Sequence, residues 1–188
     1  MKAIFHSRPA IGHEEIAAAA AVLESGQISQ GERVCRFEAA LASLIGLDGA
    51  VAVSSGTAAL HLGLLALEIR EGDEVAIPSF VCTALLNAVR YCRAVPVLVD
   101  IDPDTFNMDV RDLKRRLTAR TRAVIVPHLF GLSADIEEIV ALGLPVIEDC
   151  AQSLGSRYRG AYTGSFGTLS VFSFYATKVI CTGEGGMI

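Results

Sequence analysis

Residues 72–100 read GDEVAIPSFVCTALLNAVRYCRAVPVLVD. EVAIP (74–78) is a short apolar run of strand character, closed by a proline. Val81 to Arg93 has the length of a helix, and AVPVLVD (94–100) is a second apolar run. Two strand-like runs joined by one helix make a βαβ unit, and its strands must be parallel because the chain crosses back before the second begins. The same alternation extends on both sides. Upstream, AVAVS (50–54) precedes a helical stretch over 58–69, with Leu60, Leu64 and Leu67 at helical spacing. Downstream come a helix from Val110 to Leu117, a strand over 122–128 and a helix from Ala134 to Leu142. Strands over 144–149 and 168–174 follow. The expected fold class is α/β, a mostly parallel sheet with helices on both faces. Two helices stand before the alternation. Glu14 to Ser25 is rich in alanine, and Arg33 to Leu44 sets Val34, Phe37, Leu41 and Leu44 on one face. Between them GQISQG (26–31) reads as a loop.

Composition agrees with a sheet buried on both sides. Of the 188 residues 52% are apolar and 20% charged, enough for a large core and a subunit interface. A net charge of −5 gives no electrostatic reason to expect nucleic acid or an anionic membrane. The basic run over 111–122 goes with the acidic Asp109 and Asp112 and reads as a solvated helix face. Five cysteines, odd in number and never spaced as CxxC, suit neither a disulfide framework nor a zinc site. Reduced thiols in a cytoplasm are the simpler reading. The first residues, MKAIFHSRPAIGHEE, do not have the form of a signal peptide. No run reaches the roughly 18 apolar residues of a membrane span.

Parallel sheets place ligands beyond the carboxyl ends of their strands, so the residues that follow each strand carry the functional reading. After the strand over 50–54, Ser55-Gly56-Thr57-Ala58 opens a helix. A helix N-terminus offers unpaired N–H groups to a phosphate, and Gly56 would let the backbone approach closely. The same residues also make an ordinary N-cap. The strand over 144–149 ends in Glu148-Asp149. A carboxylate there serves as metal ligand, acid or base, partner to a protonated ring nitrogen, or simply as a helix cap. Lys178 lies in the apolar stretch SFYATKVI (173–180), ahead of a glycine-rich turn over 182–186. Desolvation favours the neutral, nucleophilic form of a lysine amine, although a lysine at a strand end also snorkels to solvent. No GxGxxG follows the first strand, which argues against a nicotinamide-binding oxidoreductase.

In this order the pieces form a constellation. SSGTAALHLGLLAL (54–67), GDEVAIPS (72–79), AVPVLVDIDPDTFNMD (94–109), TRAVIVPHLFG (121–131), VIEDCAQSLGSRYRG (146–160) and SFYATKVICTGEGGMI (173–188) resemble the DegT/DnrJ/StrS family of sugar aminotransferases. These depend on pyridoxal 5'-phosphate (PLP) and have the aspartate aminotransferase-like, type I fold. The resemblance implies that Lys178 carries the cofactor as a Schiff base and later moves the proton between substrate and cofactor. It implies that Asp149 pairs with the ring nitrogen and that Gln152 contacts the ring near its phenolic oxygen. Gly56, Thr57, Ala58 and Ser173 match the phosphate-binding positions. His128, at the end of a strand, either approaches the cofactor or is a core or loop histidine. Many relatives stack an aromatic ring on the cofactor from the position held here by Cys82, and Phe80 is a nearby substitute.

The implied activity is transfer of an amino group from glutamate or glutamine to a nucleotide-linked keto sugar, in a homodimer. Relatives that dehydrate sugars are expected to have histidine in place of the lysine, so Lys178 argues against that branch. Family members continue into the rest of the large domain and a smaller C-terminal domain. Residues 1–188 are therefore expected to form part of the PLP-binding large domain, with an N-terminal helical segment over 1–48. A non-catalytic remnant or binding protein is the competing reading of such a chain.

Overall fold

The computed structural model describes Ile4 and residues 7–188. Residues 1–3, 5 and 6 lie outside the described residues, and with them part of the segment read against a signal peptide. Helices α1 (His13–Ser25) and α2 (Glu32–Ile45) precede strand β1 (Ala52–Val53) and helix α3 (Gly56–Ala66). Then come β2 (Glu74–Pro78), α4 (Ala84–Tyr91), β3 (Val95–Val99), α5 (Val110–Arg116) and β4 (Thr121–Pro127). The chain continues through α6 (Ile136–Val140), β5 (Val146–Asp149), β6 (Arg157–Tyr158) and β7 (Ala161–Tyr162), to β8 (Leu169–Ser173) and β9 (Gly186–Met187).

One 7-stranded sheet runs in the order β1-β9-β8-β5-β4-β2-β3. The ladders joining β3, β2, β4, β5 and β8 are all parallel. Along β4 the side chains alternate between two cores: Ala123 and Ile125 pack against α3 and α4, while Val124 and Val126 pack against α5 and α6. In β2, Val75 and Ile77 take the first side and Ala76 the second. A strand buried on both faces reads as a continuous apolar run, which is why EVAIP and RAVIVP lack the alternation of a half-exposed strand. α2 covers the sheet near β8 and β9, where Leu41 and Ile45 pack with Phe172, Phe174 and Met187.

Several elements differ from the sequence expectation. The inner face of α2 holds Leu41, Ala42 and Ile45, and Leu44 points outward. α4 begins only at Ala84, and α6 spans five residues rather than 134–142. The glycines over 182–186 predict a turn, yet Gly186–Met187 form β9. It is a strand inserted between β1 and β8, antiparallel to both. A Cβ on Gly186 would lie 2.3 Å from the Ser55 carbonyl oxygen, so only glycine lets β9 pass the start of α3. The β6–β7 hairpin was also not foreseen. The basic run is a solvated face, as expected: Arg115 and Arg116 pair with Asp112, and Arg120 reaches Glu74. The five cysteines are free.

Candidate active site

A cleft of about 360 Å3 opens at the carboxyl ends of β4, β5 and β8, beside the N-terminus of α3. That is within the size range of small-molecule sites. Gly56, Thr57, Cys82, Asp149, Gln152, Ser173 and Lys178, all singled out in the sequence, line it together. Ala58 does not; its N–H donates to the Ser55 hydroxyl at 3.1 Å and serves the helix cap.

The turn that opens α3 is shaped by that cap. Ser55 accepts the Ala58 amide through Oγ and the Ala59 amide through its carbonyl, at 3.1 and 2.9 Å. The amides of Gly56 and Thr57, the first two of the helix, have no acceptor among the described residues, and both residues line the cleft. Gly56 lies against Ser173: an added Cβ would meet the Ser173 Cβ at 2.8 Å and its Oγ at 3.1 Å. The glycine therefore brings the helix start and the β8 hydroxyl onto one spot, a donor set suited to an anion.

Asp149 ends β5 and is 8% exposed. Its Oδ1 accepts the Ala151 amide at 2.9 Å. Its other oxygen has no hydrogen-bond partner among the described residues, although the side chain borders the cleft. Burial pushes its pKa above the usual carboxylate value; the Ala151 amide and the nearby Lys178 charge pull it down without cancelling the effect. Such a carboxylate is short of one partner, and a cationic N–H entering the cleft would supply it.

Lys178 stands in the loop after β8. The loop folds back on itself through the Lys178 amide to the Tyr175 carbonyl at 2.8 Å and the Thr182 amide to the Phe174 carbonyl at 2.9 Å. The side chain is half-buried. Gln152 Oε1 accepts the Phe130 amide at 3.3 Å, which leaves its NH2 group to donate. Cys82 lines the cleft, whereas Phe80 does not; its ring packs toward Phe106, centroids 5.6 Å apart. His128 is both a wall of the cleft and a core residue, fully buried. Tyr175 and Glu184 also line the cleft without having been singled out in the sequence, where they stood only inside longer motifs.

Among the described residues no group of three or more potential ligands could hold a metal, and no helix is long and apolar enough to cross a membrane. An amine, a buried carboxylate with one open oxygen, and an anion cradle share one cleft. Together they suit a molecule carrying a carbonyl, a protonated ring nitrogen and a phosphate.

Comparison with known proteins gives the same direction. GDP-perosamine synthase of Escherichia coli O157:H7 is 46% identical over 164 residues, which cover 85% of this chain and 45% of that protein. The aminotransferase of Psychrobacter cryohalolentis superposes with a TM-score of 0.94 at 35% identity, over 98% of this chain and 48% of that one. The E. coli GDP-4-keto-6-deoxy-D-mannose-3-dehydratase with bound hydrated PLP superposes with a TM-score of 0.90 at 30% identity, over 95% and 49%. The chain thus spans about half the length of these relatives. The family model described as the DegT/DnrJ/EryC1/StrS aminotransferase family matches residues 9–188, and the chain belongs to that family.

Proposed function

We propose that this chain binds PLP in the cleft and forms the cofactor-bearing part of an aminotransferase. The reaction would move an amino group from an amino acid, glutamate or glutamine, to a nucleotide-linked keto sugar. The observation that carries the reading is the convergence of Lys178, Asp149, Ser173 and the free amides of Gly56 and Thr57 on one cleft. The relatives named for GDP-linked sugars support the acceptor class.

In this reading the Gly56 and Thr57 amides and the Ser173 hydroxyl hold the phosphate. The open oxygen of Asp149 holds the ring nitrogen and keeps its proton in place. The NH2 group of Gln152 donates to the phenolic oxygen, and Cys82 packs on the ring with a polarizable sulfur. When bound, the cofactor supplies an electron sink for the loss of a substrate α-proton. Lys178 Nζ would hold the cofactor, and its free amine would carry the proton from and back to the substrate. A homodimer belongs to the same proposal.

The chain mixed with PLP should develop a visible absorbance band that borohydride reduction removes, and peptide mapping should place the reduced adduct on Lys178. Glutamate should bleach the band by half-transamination. A chain that stays colourless in excess PLP would defeat the reading. A coloured chain that glutamate leaves unchanged would favour the binding-protein alternative. Sedimentation of the PLP-loaded chain should show a dimer, and a monomer would contradict that part.

A further inference from the structure

Glu148 is next to Asp149 and entirely buried, yet nothing in the proposed chemistry uses it. Strand alternation turns it to the sheet face opposite Asp149. Its carboxylate accepts four hydrogen bonds. Oε1 takes the amides of Phe166 and Gly167 at 2.7 and 2.6 Å, and Oε2 takes the Gly164 amide and His128 Nε2, both at 2.9 Å. The turn over 164–167 is pressed onto this carboxylate: a Cβ on Gly167 would meet the Val146 carbonyl oxygen at 2.8 Å and the Glu148 Cγ at 3.2 Å.

His128 is clamped at both nitrogens. The Ala134 amide donates to Nδ1 at 3.1 Å, so the ring proton sits on Nε2 and is donated to Glu148. The His128 backbone amide donates to the Asp149 carbonyl at 3.2 Å, and His128 forms part of the cleft wall. A ring with its single proton turned toward Glu148 does not compete for the open oxygen of Asp149.

We propose that Glu148 is a positioning residue: acting through His128, a cleft-wall residue whose backbone is bonded to Asp149, it fixes the imidazole in one tautomer and one orientation, and so reserves the Asp149 carboxylate for the ligand in the cleft. This rests on the PLP reading above. In Glu148→Gln one arm of the side chain becomes a donor, and either arm already faces two donors. The variant must lose the turn amides or the His128 contact.

The test uses the 188-residue chain with 15N-labelled histidine. In the chain without cofactor, the wild type should show His128 as the Nε2–H tautomer, and Glu148→Gln should convert it to a mixture. The Kd for PLP, read by absorbance, should rise about tenfold or more in Glu148→Gln. His128→Asn, which keeps an acceptor for Ala134 but falls short of Glu148, should show a similar rise. The double variant should bind no worse than the weaker single one, because both act on one path. Additive losses, or an unchanged tautomer in Glu148→Gln, would overturn the proposal. If Glu148→Gln does not fold, His128→Gln decides. It keeps a donor toward Glu148 and should bind PLP at least about threefold more tightly than His128→Asn; the reverse order would overturn the proposal. A wild-type chain that takes up no PLP would sink the functional reading alone, since the ring spectrum still judges Glu148.

Discussion

Gly56→Ala tests whether the start of α3 and the β8 hydroxyl act as one anion cradle. The new Cβ would stand 2.8 Å from the Ser173 Cβ and 3.5 Å from its Cα. Carbon atoms prefer separations of about 3.5–4.0 Å, so the first contact is short by at least roughly 0.7 Å. No flexible side-chain tip can absorb this. Ser173 pairs with Gly186 across the β8–β9 ladder, and Gly186 itself is wedged against the Ser55 carbonyl. Overpacking of this kind costs about 1–3 kcal/mol. Replacing a helical glycine by alanine returns about 1 kcal/mol. The net loss is about 0–2 kcal/mol, a fall in Tm of at most about 8 °C for a chain of this size. PLP affinity should suffer far more, because the Ser173 hydroxyl must move away from the amides of Gly56 and Thr57. One lost charge-assisted hydrogen bond weakens binding by about 10–100-fold. Absorbance titration gives the Kd, and circular dichroism of the chain without PLP gives the Tm. Adding Ser173→Gly removes the clashing atoms and should restore the Tm while leaving the affinity low. Wild-type affinity in Gly56→Ala, within about threefold, would refute the cradle, since the geometry leaves the alanine no way to be silent at Ser173.

Lys178→Ala should abolish the borohydride-trapped adduct while leaving the far-ultraviolet circular dichroism unchanged; an adduct of the same mass and yield would contradict the assignment. Asp149→Asn should still bind PLP but slow half-transamination severely, as stopped-flow absorbance would show. The same variant should melt higher than the wild type at neutral pH without cofactor. The folded pKa of Asp149 is raised by burial, so its ionisation destabilises the fold as pH rises past the unfolded value of about 4. The difference should vanish near about pH 4, and equal melting at neutral pH would count against it. Asp112 has the opposite sign. The Asp100 amide, Arg116 and Arg115 hold its pKa down, from 3.8 to about 2. Its contribution is complete above about pH 4 and is lost as pH falls toward about 2. Asp112→Asn should therefore lower the Tm at neutral pH, with the gap from wild type closing over that acid window.

Most of the sheet was legible because both of its faces are buried. That condition writes itself into the chain as apolar runs such as 74–78 and 122–127, separated by segments of helical length. Where pattern failed, a tertiary contact had decided. Gly186 reads as turn, yet it is a strand residue because the Ser55 carbonyl fills the place of its side chain. On α2 the apolar spacing fits Leu44 as well as Ile45, and only the position of Phe172 and Phe174 selects Ile45. The meeting of Lys178, Asp149 and the α3 turn was legible through motifs but not through spacing. Some 90 residues separate Gly56 from Asp149, and the crossovers that bring them together leave no local trace.

The clearest case is the pair Glu148-Asp149. Both are acids at the end of one strand, both are buried, and nothing in their immediate sequence tells them apart. The sheet does, by sending them to opposite faces and giving them different numbers of donors. Glu148 receives four, and its pKa lies below the usual value: burial pushes it up, but the His128 hydrogen bond and the Gly164 and Gly167 amides outweigh that. Asp149 receives one, and burial keeps it raised. A buried carboxylate with all its acceptor positions taken has little left to offer a ligand. A neighbour left one partner short is stabilised by whatever brings that partner into the cleft. Donor count, which only the fold reveals, thus separates the acid that holds the site together from the acid that the ligand would meet.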